Sequence, residues 1–199
     1  MLKKITLISA SVVSAFALHT AEININNKDL EAGMQLDIGQ FNRRVEPNTM
    51  FVGARFLNAD DAHSSDSLSF LDPYYEANFL VMREIGSYGI RFGMGIKLNY
   101  MQVANKDFSS LPLGIELGYH LPILREIPIT ANASLYYAPE VLSFMDSTNY
   151  LDYRINFDIE LIKNAGLTLG YRNINFSTGA ASNSFNYNSS AYFGFKVKF

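Results

Sequence analysis

The chain has 199 residues, with 16 Lys and Arg against 19 Asp and Glu, and no cysteine or tryptophan. One domain fits this length. A disulfide framework and a thiolate metal site are excluded, and the weakly acidic balance leaves no footprint for nucleic acid.

Residues 1–21 read as a secretory signal peptide. Lys3 and Lys4 form a basic start, and residues 5–18 form an apolar core with small polar breaks. That core is shorter than the roughly 20 residues a membrane-spanning helix needs. Ala15-Phe16-Ala17 fits processing after Ala17, and a cut after Ala21 is the alternative. Residues 22–199 then form the folded domain, and removing Lys3 and Lys4 makes it more acidic still.

From residue 22 onward the dominant period is two, which predicts strands with chemically different faces. EININ at 22–26 is a candidate first strand, followed by a tight turn at Asn27-Lys28-Asp29. Residues 30–39 set Leu30, Ala32, Met34, Leu36 and Ile38 against Glu31, Gly33, Gln35 and Asp37. Residues 50–56 alternate around Gly53 and Arg55, and residues 75–82 set Tyr75, Phe79 and Val81 against Glu76 and Asn78. Residues 89–101 carry Arg91, Gly93, Gly95, Lys97 and Asn99 on their polar face. Residues 111–121 carry Glu116 and His120 there, and residues 127–137 carry Thr130, Asn132, Ser134 and Tyr136. The clearest alternation is at 150–162, where Asp152, Arg154, Asn156, Asp158 and Glu160 oppose Leu151, Tyr153, Ile155, Phe157, Ile159 and Leu161. Residues 166–175 follow with Thr168 and Arg172. The last strand puts Phe193, Phe195, Val197 and Phe199 opposite Lys196 and Lys198.

Alternation alone suits a soluble sandwich as well as a membrane barrel. Export, strands near the ~9–11 residues that cross a bilayer at a tilt, and tyrosines recurring near strand ends (Tyr75, Tyr88, Tyr100, Tyr119, Tyr137, Tyr150) favour the barrel. So does the terminal Phe199. Short connections alternate with longer ones at 59–72, 102–110, 138–149 and 177–188. With the C-terminus on the periplasmic side, that order requires an even strand count. The fold class is therefore all-β, a transmembrane antiparallel up-and-down β-barrel of ten strands, with eight as the alternative. Phe193, Phe195, Val197 and Phe199 are expected to form its assembly signal.

In a barrel this narrow, inward side chains fill the lumen, and inward charges must pair. The register puts Arg55, Arg91, Lys97, Arg154, Arg172, Lys196 and Lys198 inside, with Glu31, Asp37, Glu76, Glu116, Asp152, Asp158 and Glu160. The equal numbers predict a lumen closed by ion pairs. Asp158 or Glu160 is the expected partner of Arg172. A narrow solute channel is the rival reading.

YYAPEVLSF at 136–144 and GYRNI at 170–174, with Gly93-Met94-Gly95-Ile96-Lys97 and the Phe199 ending, resemble the YfaZ family of bacterial outer-membrane proteins. The resemblance implies a small outer-membrane barrel and brings no reaction or ligand. Within the first motif, Pro139 ends a strand, and Val141, Leu142 and Phe144 are expected to cap the barrel top.

Chemistry has little to build on. His19 sits at the processing site, His120 near a periplasmic turn, and His63 in a polar loop with Asp60, Asp61, Ser64, Ser65 and Asp66. That loop lacks an EF-hand pattern, and no phosphate loop, HExxH or nucleophile elbow occurs. No enzyme activity, catalytic residue, metal site or cofactor is expected, and an outer-membrane lipid or peptide hydrolase is the least favoured alternative. The expected partners are outer-membrane lipid and lipopolysaccharide, with the barrel-assembly machinery and periplasmic chaperones during biogenesis. The protein is expected to be a monomer in the bacterial outer membrane.

Overall fold

A computed structural model describes residues 20–59, 72–86, 89–103, 106–122, 127–178 and 183–199. The expected signal peptide up to residue 19, and the loop holding His63, lie outside these residues. Twelve strands follow one another: β1 (Thr20–Ile25), β2 (Asp29–Asp37), β3 (Met50–Ala59), β4 (Tyr74–Ile85), β5 (Ile90–Val103), β6 (Lys106–Ser110), β7 (Leu113–Leu121), β8 (Ile129–Ala138), β9 (Ser143–Met145), β10 (Ser147–Ile162), β11 (Ala165–Thr178) and β12 (Asn183–Lys198).

All but β6 and β9 form a closed antiparallel ring in the order β4-β3-β2-β1-β12-β11-β10-β8-β7-β5, sealed by the pairing of β4 with β5. The ten-stranded barrel predicted from alternation is the observed fold. EININ supplies the strand that closes it: Glu22 lies beside Lys196 on one side and Gly33 on the other.

The lower rim carries both Thr20 and Lys198, which face each other, and the tight β10–β11 turn. The opposite, upper rim carries the longer connections. Two of these are structured. β6 turns back against β5 and pairs with β9, extending the wall upward. β11 and β12 run on well past the predicted strand ends, so residues 183–188 are strand rather than loop.

Of the three residues expected to cap the barrel, only Leu142 packs against the core. Val141 is 79% exposed and Phe144 46% exposed. The 3-10 turn Glu140–Leu142 and the β6–β9 pairing hold that segment in the wall, so those two side chains face away from the lumen.

Each strand keeps one face inward. On the lower part of β10, Ile155 and Phe157 face out while Arg154 is buried inside. Phe193 and Phe195 continue this exposed apolar surface on β12, Met94 and Leu98 on β5, and Ile115 and Leu117 on β7. An apolar exterior around a charged interior is the sidedness a transmembrane barrel requires.

Near the top that sidedness reverses, although the inward parity of β11 itself runs on unbroken. On β11, Thr168 and Arg172 point inward while Leu169 points out. Two residues higher, Ile174 and Phe176 are the inward, fully buried pair, and Asn173 and Asn175 take the outward parity, Asn173 covered and Asn175 half-buried. The Asn175 side-chain amide donates to Asn173 Oδ1, and the Tyr171 hydroxyl lies 2.7 Å from Ser189 Oγ. Outward Tyr75, Tyr100 and Tyr137 mark the same level on other strands. Interfacial tyrosines belong at such a border. Tyr150, read from sequence as another girdle residue, is instead fully buried in the lumen. It shares the parity of Asp152 and Arg154, and parity decides the face.

Candidate functional site

The lumen has three levels. The upper level is apolar. Leu57, Tyr74, Met101, Tyr150, Phe176 and Tyr187 belong to one buried cluster assembled from the upper ends of the strands. The Tyr150 ring meets Phe176 edge-on at 4.7 Å, and Phe108 meets Phe176 at 5.8 Å. Tyr187 reaches across from β12 to the backbone carbonyls of Leu57 and Asp72, at 3.3 and 3.1 Å. A ladder irregularity between Ile174 and Asn175 allows this, because it turns Tyr187 inward above Asn188. Alternation read as apolar-out throughout could not reveal this level.

Below lies an ion-pair lattice. The Tyr74 hydroxyl joins the two levels, lying 2.8 Å from the Tyr150 hydroxyl and 2.9 Å from Glu76. Lys97 Nζ lies 2.6 Å from Asp152 and 3.1 Å from Glu76. Arg154 bridges Asp152 at 3.3 Å and Glu31 at 2.8 Å. Glu31 has no exposed surface and is shared with Arg172 at 3.2 Å and Arg55 at 3.6 Å. Arg55 continues to Glu22 at 2.9 Å, and Lys196 links Glu22 at 3.4 Å to Asp158 at 2.8 Å. One connected set of charges thus crosses the barrel from β4 to β12. Sharing each buried carboxylate among cations is what makes such burial tolerable.

Arg172 differs from the sequence expectation. It does not reach Asp158 or Glu160. It bonds to Asp29 at 3.1 Å and to Asn188 at 2.7 Å, besides its contact with Glu31. The ladder sets Arg172 beside Arg154, so its guanidinium turns away from β10 and across to β2. Asp29, read as a turn residue, is a buried acceptor for Arg172, Asn188 and Ser190. Glu22 was likewise missing from the predicted lumen set. For Asp29 the signal was the inward parity it shares with Glu31 on β2, whereas the inward side of Glu22 follows from its pairing with Gly33 and Lys196.

Five predicted lumen charges stand outside the lattice, three of them without an ion pair to a described residue. Asp37 accepts from the backbone N–H of Gly39 at 2.9 Å and of Asn48 at 2.7 Å. Strand β2 ends there, so its carboxylate caps the turn. Glu116 accepts from the Tyr136 hydroxyl at 2.6 Å rather than from a cation. Arg91 makes no ion pair with a described residue and borders open space. The outermost pair, Lys198 and Glu160 at 3.1 Å, sits at the lower rim in solvent.

Tyr136 needs unusual room. Its ring lies under Lys97 Nζ, 4.0 Å from the ring centroid, and a Cβ added at Gly95 or Gly114 would collide with it. Those two inward glycines are the seat of this ring.

The third level is a vestibule of about 390 Å³ reaching from the lattice toward the lower rim. Lys97, Glu76 and Arg154 form its inner end, and Thr20, Asn48 and Lys198 lie near its mouth. No residue of the apolar level lines it. Phe51, Leu80 and Met82 make an apolar patch on one wall.

The YfaZ precursor family matches the chain over residues 2–199. No curated protein matches it. Among solved structures, the KdgM porin is similar at 7% identity and a TM-score of 0.44, over 90% of this chain and 98% of that one. The outer membrane channel DcaP of Acinetobacter baumannii is similar at 13% identity and a TM-score of 0.39, over 89% of this chain and 54% of that one.

Proposed function

The chain belongs to the YfaZ family, and from its filled lumen we propose an integral outer-membrane β-barrel closed to solute passage, with a structural or surface-interaction role. The observation that carries this reading is the stacking of an apolar level directly on the ion-pair lattice, joined by the Tyr74–Tyr150 contact. A permeating ion would have to break buried pairs and then cross a layer without polar partners, and each step is costly. The strand extensions above the Tyr75–Tyr100–Tyr137 border would stand outside the bilayer as a surface feature toward lipopolysaccharide. The reading contains no catalytic step, and it takes the protein as a monomer.

Planar-bilayer recording tests closure. The refolded protein is expected to insert without steady current. A stable, open, nanosiemens-scale channel would establish the narrow-pore reading instead.

The same proposal covers biogenesis. Residues 1–21 would direct export, and Phe193, Phe195, Val197 and Phe199 would be the signal read by the barrel-assembly machinery after periplasmic chaperones deliver the chain. Within the signal region, cleavage after Ala17 fits the fold better than cleavage after Ala21. Ala21 pairs with both Val197 and Met34 inside β1, so a cut behind it would shorten the closing strand. Intact mass of the mature protein is expected to show Leu18 as its first residue.

A further inference from the structure

We propose that the vestibule below the lattice binds a neutral saccharide, a mono- or disaccharide, entering from the lower rim. Its volume of about 390 Å³ lies within the ~300–1,000 Å³ of small-ligand pockets. Its lining offers donors and acceptors, the Ser134, Asn132 and Asn156 side chains among them, with further unpartnered polar atoms buried behind it. Arg154 is more than nine-tenths buried, yet its Nη2 has no partner. Arg55 Nε is a second buried donor without a partner, and Asn78 Oδ1 a buried acceptor without one. All three residues line the cavity.

Charge decides the class of ligand. Six basic and five acidic side chains line the cavity, so neither a strong anion nor a strong cation is favoured. A molecule that donates and accepts at once suits a lining in which amides, a hydroxyl and both signs of charge alternate. Hydroxyl groups do this, whereas a carboxylate or phosphate only accepts. Asn132 and Asn156 add amides on the β8 and β10 side, while Phe51, Leu80 and Met82 offer an apolar wall from β3 and β4. A pyranose presents that same combination, a C–H face and a rim of hydroxyls.

The test is calorimetric titration of the folded barrel in a zwitterionic detergent without a sugar head group, using glucose and maltose, with citrate as the charged control. Saturable binding of a neutral sugar is expected, with citrate silent. Asn78→Ala and Asn156→Ala should each weaken it about tenfold, the equivalent of one hydrogen bond. Ser134→Phe, which fills the cavity, should abolish it. Heat-modifiable gel mobility checks that each variant remains a folded barrel. No saturable signal with either sugar, binding indifferent to Ser134→Phe, or binding of citrate alone would overturn the assignment. The inference is read separately from closure. Sugar binding without current supports both readings, whereas sugar binding with steady current keeps this one and overturns the closed lumen.

Discussion

Replacing Glu31 by alanine is expected to destabilise the barrel by about 3–5 kcal/mol, the usual scale for removing one partner from a buried charge cluster. Glu31 is the most shared anion in the lumen, meeting Arg154, Arg172 and Arg55. Each arginine retains another carboxylate, respectively Asp152, Asp29 and Glu22. Without Glu31, however, three guanidinium groups face one another with nothing between them. Glu31→Gln keeps the volume and removes only the charge, so its cost isolates the electrostatic part. Glu160→Ala is the contrast. Its pair with Lys198 is exposed, and its loss should cost under about 1 kcal/mol. Urea unfolding in lipid vesicles, followed by far-UV circular dichroism because the chain has no tryptophan, gives both values. Equal, small effects for Glu31 and Glu160 would mean a lumen full of water, and the closed reading would fall.

Phe176→Ala should cost about 3–5 kcal/mol by the same measurement, the range for emptying an aromatic site in a packed core. Phe176 is fully buried at the upper level, held edge-on by Tyr150 and Phe108. Phe144, on β9 at the same end of the barrel, is 46% exposed. Its truncation should stay within about 0.5 kcal/mol. The difference separates a packed interior from a wet one, since a ring lining open water loses few contacts when removed. A Phe176→Ala variant as stable as the parent would exclude the apolar level as a seal.

Much of the barrel was legible in the sequence because period-two alternation is a strong signal when one face meets lipid. The ten strands, and the inward parity of Arg154, Arg172 and Glu31, follow from it directly. Pairing partners were not legible. Which acid meets which base depends on how strands distant in sequence stagger across the lumen, and Arg172 reaching Asp29 instead of Asp158 is that stagger expressed. The apolar level was hidden for a different reason. Ile174, Phe176 and Tyr150 occupy inward positions that alternation assigns to polar groups, so the pattern there looks merely imperfect. The vestibule is a negative space between side chains and leaves no pattern along the chain. Asp37 shows a further limit, since an inward acid at a strand end serves the backbone turn before it serves the lumen.

The reversal of sidedness on β11 also bears on how the barrel reaches its place. With Thr20 and Lys198 at the lower rim, the polar patch of Asn173, Asn175 and Ser189 on β11 and β12 lies at the opposite, leading end. On the proposed orientation, that polar patch must traverse an apolar layer about 30 Å thick before the lipid-facing band can settle into it. The same passage opposes return. Traversal is therefore expected to slow insertion and, once made, to oppose release, so that depth in the membrane would be held by kinetics as well as by affinity.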